Sequence, residues 1–245
     1  MRILLASDLH YRLRQFDWLA RAAPDFDVVV VAGDHVDSFL GVPVEVQVAA
    51  LAATLGAMSQ GTRVIVCSGN HDLDARNAHG EMAAAWVRRL AAQGVAVDGD
   101  TVQVGDTLFT VCPWWDGPAS RAEVESQLLA ASAHRSPGMR WVWIHHAPPQ
   151  CALSWNGKRH FADAALAALI ERHAPDVVLC GHIHEAPFRN GGSWVDRIGR
   201  TWLFNAGHQI GDVPARVEID LDAGEARWIS LAGEEVRALA VEGAQ

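Results

Sequence analysis

The sequence predicts an α/β fold built around a mainly parallel sheet, and two observations carry that expectation. Short apolar runs alternate with segments of helical character as far as residue 180, the pattern of repeated βαβ units. The apolar runs also end in Asp, Asn or His. In VVVVAGDHVDSF, residues 28–39, four valines and an alanine lead straight into Gly33, Asp34, His35 and Asp37. In open α/β sheets the carboxyl ends of the strands converge on one crevice, so polar groups at those ends share a site.

Taken in order, strands are expected at residues 2–6, 27–32, 63–67, 107–112, 140–145 and 176–180. Helices are expected at 13–23, 43–59, 79–93, 120–133 and 162–173. The stretch FADAALAALIERHAPD gives the clearest helix, with Leu166, Leu169 and Ile170 on one face, His173 near the end and Pro175 as the stop. Beyond residue 190 the character changes. SWVDRIGRTWLFNAG, ARVEIDLD and EARWISLAG read as short strands joined by Gly-containing turns, which predicts antiparallel strands completing a second sheet. The stretch from Glu234 is weakly patterned and is expected to fray. With no repeat, linker or long insertion, one domain over residues 1–245 is expected, without a separate cap. The pocket would then be formed by loops near 73–80, 113–120 and 150–162.

Composition narrows the function classes. A domain of 245 residues buries ~70–75% of its unfolded surface and needs no staples. Net charge is −9 and Lys158 is the only lysine. Such a chain lacks the basic footprint of an extended nucleic-acid binder, although a nucleotide held locally is compatible with it. Cys67, Cys112 and Cys180 fall in apolar runs, and Cys151 lies apart from them without CxxC spacing. Buried reduced thiols are expected, not a zinc knuckle or disulfide framework. No apolar run approaches the ~18–20 residues of a membrane span and no secretory leader is visible, so a cytoplasmic location is expected. Oligomeric state is left open.

Five strand ends carry the chemistry. LLASDLH places Asp8 and His10 after the first strand. VVAGDHVD places Asp34 after the second. VIVCSGNHD places Asn70, His71 and Asp72 after the third. WVWIHHAPP places His145 and His146, and VVLCGHIHEAPF places His182 and His184, after later ones. His182 and His184 share one face of an extended segment. Carboxylates and imidazoles gathered together call for cations among them, and mixed N/O donors suit first-row metals such as Mn, Fe, Co or Zn. Seven or eight ligands are too many for one tetrahedral ion. Two ions sharing a bridging carboxylate fit better, and such a pair clamps an in-line displacement at phosphorus.

The ordered set Asp8-x-His10, Gly33-Asp34, Gly69-Asn70-His71-Asp72, His146-x-Pro148 and Gly181-His182-x-His184 resembles the signature of the calcineurin-like metallophosphoesterases, over residues 8–184. The resemblance implies a four-layer αββα sandwich of two mixed sheets, with a dinuclear metal site at the strand C-terminal ends. It implies phosphoester hydrolysis by metal-activated water. One divalent ion, Mn, Fe or Zn, would be held by Asp8, His10, Asp34 and His184. The second would be held by Asp34, Asn70, His146 and His182, with Asp34 bridging. His71 resembles the family's general acid or transition-state stabiliser, and Asp37 resembles the carboxylate that orients it, with Asp72 as the alternative. Counting back from the prolines favours His146 over His145 as the ligand.

Flanking residues are candidate pocket walls: Arg12 and Arg14, Trp114 and Trp115, Trp155, the cluster Lys158–Arg159–His160, and Asn205 and His208 in FNAGHQIG. A core or solvated role is the simpler expectation for each. The expected substrate is a small phosphomonoester or phosphodiester, nucleotides included. A nuclease and a non-catalytic scaffold of the same fold are the alternatives; the charge weighs against the first and the intact Asn70 and His71 against the second.

Overall fold

The structure is a computed structural model and describes residues 1–239. Its strands are β1 (Arg2–Ala6), β2 (Val28–Ala32), β3 (Arg63–Cys67), β4 (Ala75–Arg76), β5 (Met82–Ala83), β6 (Thr101–Val104), β7 (Thr107–Val111), β8 (Arg140–Ile144), β9 (Val177–Cys180), β10 (Val195–Ile198), β11 (Thr201–Asn205), β12 (Arg216–Asp220), β13 (Glu225–Ser230) and β14 (Gly233–Ala238). The α-helices are α1 (Leu13–Ala22), α2 (Val44–Met58), α3 (Ala85–Arg89), α4 (Pro118–Ala133) and α5 (Ala164–His173).

Two six-stranded mixed sheets form the centre. One has the order β14-β13-β12-β1-β2-β3, the other β10-β11-β9-β8-β7-β6. In the first, β1, β2 and β3 run parallel and β12 closes on β1 antiparallel. In the second, β7, β8, β9 and β11 run parallel, flanked by antiparallel β6 and β10.

Alternation along each strand sorts side chains into layers. Ile3 and Leu5 of β1, Val28 and Val30 of β2, and Phe109, Val142 and Leu179 of the other sheet meet in one core between the sheets. The residues between them face outward. Leu4, Val29 and Val64 pack against Phe16, Leu19, Leu51, Leu55 and Trp86 of α1, α2 and α3. Trp141, Trp143, Val178 and Leu203 pack against Val124 and Leu128 of α4 and Leu166 and Ile170 of α5. Because both faces of each sheet are covered, a strand such as VVVVA can be apolar at every position. The result is the αββα sandwich.

Four sequence expectations need correction. The strands beyond residue 190 do not complete one sheet: β10 and β11 join the second, β12 to β14 the first, and β11 runs parallel to β9. Local pattern reports which faces are buried, not against which sheet. The helix expected at 79–93 is only α3 and a following 3-10 turn, because residues 75–83 pair as the β4–β5 hairpin. Residues 101–104, left unassigned, form β6, a half-exposed edge strand. The stretch from Glu234 carries β14, whose residues are exposed on both faces. An edge strand without a buried face shows no hydrophobic period, so its backbone ladder with β13 left no trace in the pattern. Residues 240–245 lie outside the described residues.

The cysteines are free thiols; Cys67, Cys112 and Cys180 are buried. Burial pushes the partly buried Cys151 up to about 12, so it too stays protonated and unreactive.

Asp98 gives a pH-dependent stability. Its side chain is buried, and Oδ1 accepts the Ser68 N–H at 2.8 Å while Oδ2 has no partner. Burial raises the carboxyl from 3.8 to about 6, against the hydrogen bond from Ser68. The folded chain therefore keeps a proton that the unfolded chain has released. The favourable contribution is full below 3.8 and gone above about 6, a swing of about 3 kcal/mol. Asp98→Asn should abolish this fall in unfolding free energy as pH rises from about 4 to about 6, read from denaturant midpoints across that range.

Candidate metal centre

The parallel strands point their carboxyl ends at the seam between the sheets, and the polar loops meet there. β1, β2 and β3 of the first sheet deliver Asp8, His10, Asp34, Asn70 and His71. β8 and β9 of the second deliver His146, His182 and His184. Asp8, His10, Asp34 and His184 form one group whose ligand atoms all lie within 4.8 Å of one another; Asp34, His146 and His182 form another. Asp34 belongs to both.

The backbone bends sharply to achieve this. Asp8, His10, Asp34 and His182 have φ of 56°, 42°, 54° and 70°. Non-glycine residues in that left-handed region are uncommon and such strain costs about 1–3 kcal/mol each, which surrounding structure must over-determine. Hydrogen bonds do so. The His182 N–H donates to Asp8 Oδ1 at 3.0 Å, and the His71 N–H donates to Asp34 Oδ1 at 2.9 Å. Gly33 at φ 83° leaves no room for a Cβ, which would strike the His146 ring. At Gly181 a Cβ would come within 2.8 Å of both Ala32 O and Asp8 Oδ2. These glycines let backbone and ligand groups of the two sheets approach closely.

Asp72 braces the arrangement. It is buried, and its two oxygens accept the backbone N–H groups of Asp34, His35, Val36 and Gly69, and pair with His35 Nδ1 at 2.9 Å. His35 is fully buried against Trp86.

The histidines are oriented one by one. His146 Nδ1–H donates to the Ala32 carbonyl at 2.7 Å. That bond leaves Nε2 as the free ring nitrogen, 3.2 Å from Asp34 Oδ2 and 3.8 Å from Asp8 Oδ1. His184 Nε2 lies 3.3 Å from Asp8 Oδ1 and 3.0 Å from His10 Nε2. His145 takes no part in this. Its ring stacks on Trp115 at 4.1 Å, and neither nitrogen has a hydrogen-bond partner. Of the two adjacent histidines, the structure brings His146 to the cluster.

Electrostatics makes the cluster a sink for positive charge. Burial alone would raise Asp8, but the hydrogen bond with His184 and the charge of His146 hold it down at about 2. Asp34 lies well below the carboxylate range, because His146 and the His71 N–H outweigh its burial. Against its own burial, His146 is lifted to about 9 by Asp34 and Asp8. His182 is pushed down to about 4 by burial and by His146.

The donor set fits metal ions. Two carboxylates stay ionised, and imidazole nitrogens face each other at 3.0 Å across His10 and His184. Asn70 Oδ1, a neutral acceptor, is buried with no hydrogen-bond partner. Buried orphan acceptors of that kind are rare, and mixed N/O donors suit first-row divalent ions.

His71 sits at the rim, its side chain 26% exposed, with Nε2 4.0 Å from Asp34 Oδ2. Neither carboxylate expected to orient it is hydrogen-bonded to its ring in this structure. Asp37 Oδ1 accepts the Phe39 N–H at 2.8 Å within its own turn, and Asp72 is fully committed beneath Asp34. Arg14 is ion-paired with Asp212 at 2.8 Å in an exposed position. His208 lies closer in than its expected structural role required. Its Nδ1–H donates to the Asp8 carbonyl at 2.6 Å, and its ring is 5.0 Å from that of His184. Asn205 anchors the same loops, Nδ2–H donating to Ile183 O. No periodic signal marks either residue; only the strand-then-polar pattern of FNAGH pointed to them.

Asp72→Ala should destabilise the fold by about 3–5 kcal/mol, since it strands several buried donors, and the denaturant midpoint will show it. His145→Phe should leave metal content unchanged while His146→Ala lowers it, as read by elemental analysis of the purified variants.

No helix of the described residues is long and apolar enough to cross a membrane. No curated protein matches the chain in sequence. Among solved structures, the protein TT1561 of Thermus thermophilus is similar with a TM-score of 0.62 at 15% identity, covering 98% of this chain and 99% of that one. A dimetal phosphatase from Danio rerio gives 0.60 at 10% identity, covering 98% and 99%. The purple acid phosphatase PPD1 of yellow lupin gives 0.56 at 12% identity, covering 98% of this chain and 51% of its own. These likenesses establish the fold. The family model for calcineurin-like phosphoesterases matches residues 1–186, and the chain belongs to that family.

Proposed function

We propose that the protein is a phosphoesterase that depends on two divalent metal ions and hydrolyses a small phosphomonoester or phosphodiester within one domain. The observation that carries this reading is the pair of acid–imidazole groups sharing Asp34. Asp8, His10, Asp34 and His184 would hold one ion, and Asp34, Asn70, His146 and His182 the other. Bound there, the ions would activate water near neutral pH and offset charge on the phosphoryl oxygens.

The rest falls to the side chains. Asp34, fixed by the His71 N–H and by the brace of Asp72 on its own backbone, keeps the two halves of the site in register. His146 is locked by the Ala32 carbonyl on its far side, so it need not reorganise when a phosphoester enters. His71 is a partly exposed ring near Asp34 that is not in either ligand group. In this reading it would hold a proton at Nε2 for the departing oxygen, a role open to imidazole.

A nuclease on extended nucleic acid is disfavoured by the net charge of −9, because such binding rests on phosphate neutralisation by cationic side chains. A scaffold without catalysis would have no use for the retained ligand set.

Purified protein should contain a first-row transition metal and should hydrolyse aryl phosphomonoesters or diesters with added manganese. Asp34→Asn should lose metal and turnover together. His71→Ala should retain metal while kcat falls ~10²–10⁴-fold. Active protein devoid of transition metal, or a His71→Ala variant with full turnover, would overturn the reading.

A further inference from the structure

Beside His182 lies a pocket of about 440 Å³ whose walls include Trp114, Arg159, Phe161 and Asp163. The volume is in the range of small-molecule sites and far exceeds the needs of one phosphoryl group. Its floor joins the metal-ligand cluster through Trp114, whose ring lies 5.3 Å from that of His182 and 5.8 Å from that of His146.

The outer wall is a purpose-shaped turn. Asn156 Oδ1 accepts the N–H groups of Lys158 and Arg159, both at 3.0 Å. Ser154 Oγ meets His160 Nδ1 at 2.8 Å, and the Phe161 N–H returns to Ser154 O at 2.8 Å. The turn presents Phe161 37% exposed, with the Arg159 guanidinium 4.2 Å over its ring. Arg159 therefore rests on an aromatic face rather than on a carboxylate. Arg189 packs beside the same turn, its Cγ 3.4 Å from where a Gly157 Cβ would stand. In a chain of net charge −9 with one lysine, Lys158, Arg159 and Arg189 gather at this one edge. The single acid in the wall is occupied: Asp163 Oδ2 accepts from Trp115 Nε1–H at 2.8 Å and Oδ1 from the Leu166 N–H at 2.9 Å.

We infer that this pocket selects phosphoesters whose alcohol portion carries a planar ring and a second anionic group. The ring lies against Trp114 and Phe161, and the second anion meets Arg159. The inference rests on the phosphoesterase reading of the adjoining cluster. Aromatic faces stack on planar rings whatever their edges, and the planar guanidinium fork matches phosphate or carboxylate oxygens. Simple aliphatic phosphates use neither feature.

The test uses three phosphonates in which CH2 replaces the ester oxygen, so that binding is read without turnover. One carries adenosine with a 3′-phosphate, one adenosine alone, and one glycerol. Calorimetric titration of the manganese-supplemented protein should give affinities falling in that order, by about tenfold at each step. Arg159→Ala should close most of the first gap and Phe161→Ala most of the second. Both residues are exposed, and unchanged melting temperatures will verify folding. Equal affinities for the three phosphonates, no measurable binding, or gaps untouched by both substitutions would overturn the inference. Hydrolysis of the matching esters separates the two readings. Turnover with flat selectivity sinks the pocket alone. Graded binding without turnover of any ester sinks the hydrolase reading and leaves the pocket standing.

Discussion

The structure depends on keeping two ionised carboxylates, Asp8 and Asp34, buried within one cluster. Both are almost fully shielded from solvent, and their charges repel in a medium that screens poorly. Backbone N–H groups of His182 and His71 point at them, and imidazoles from the opposite sheet close around them. The left-handed φ values at Asp8, His10, Asp34 and His182 are the conformational cost of that convergence. Strain of this kind persists only where packing and hydrogen bonds leave no alternative. The four N–H groups gathered by Asp72 and the glycines at 33 and 181 are what remove the alternative here.

The cluster also explains why the molecule is a sandwich and not a single open sheet. The first sheet contributes the acids, His10, Asn70 and His71; the second contributes His146, His182 and His184. Neither sheet holds a complete set. The inter-sheet core of alternating Ile, Val, Leu and Phe brings the two halves to within ligand distance, and cations bound there would staple the sheets at one end. Stability and chemistry therefore share one seam, while the outer helices cover the far faces and leave the strand ends open to a substrate.

The turn at 156–161 is exposed from residue 157 onward and carries a guanidinium lying on Phe161. Its cations run against the overall charge. Family membership bears on the cluster, and the loop is where we place this protein's choice of substrate.

Much was legible in the sequence by itself. Six strands through residue 180 and the gathering of polar groups at their ends followed from short apolar runs ending in Asp, Asn and His, because burial and the strand-end crevice constrain residues locally. What only tertiary structure decided were matters of partnership. His145 and His146 are adjacent and chemically identical, and pleat direction sends one to Trp115 and the other to Asp34. Asp37 and Asp72 both flank the site, yet one caps its own turn and the other braces a neighbouring loop. Strands β12 to β14 return to the first sheet although the second lies nearer in sequence. Periodicity records how much of a residue is covered, and a side chain's partner is set by contacts between segments far apart in the chain.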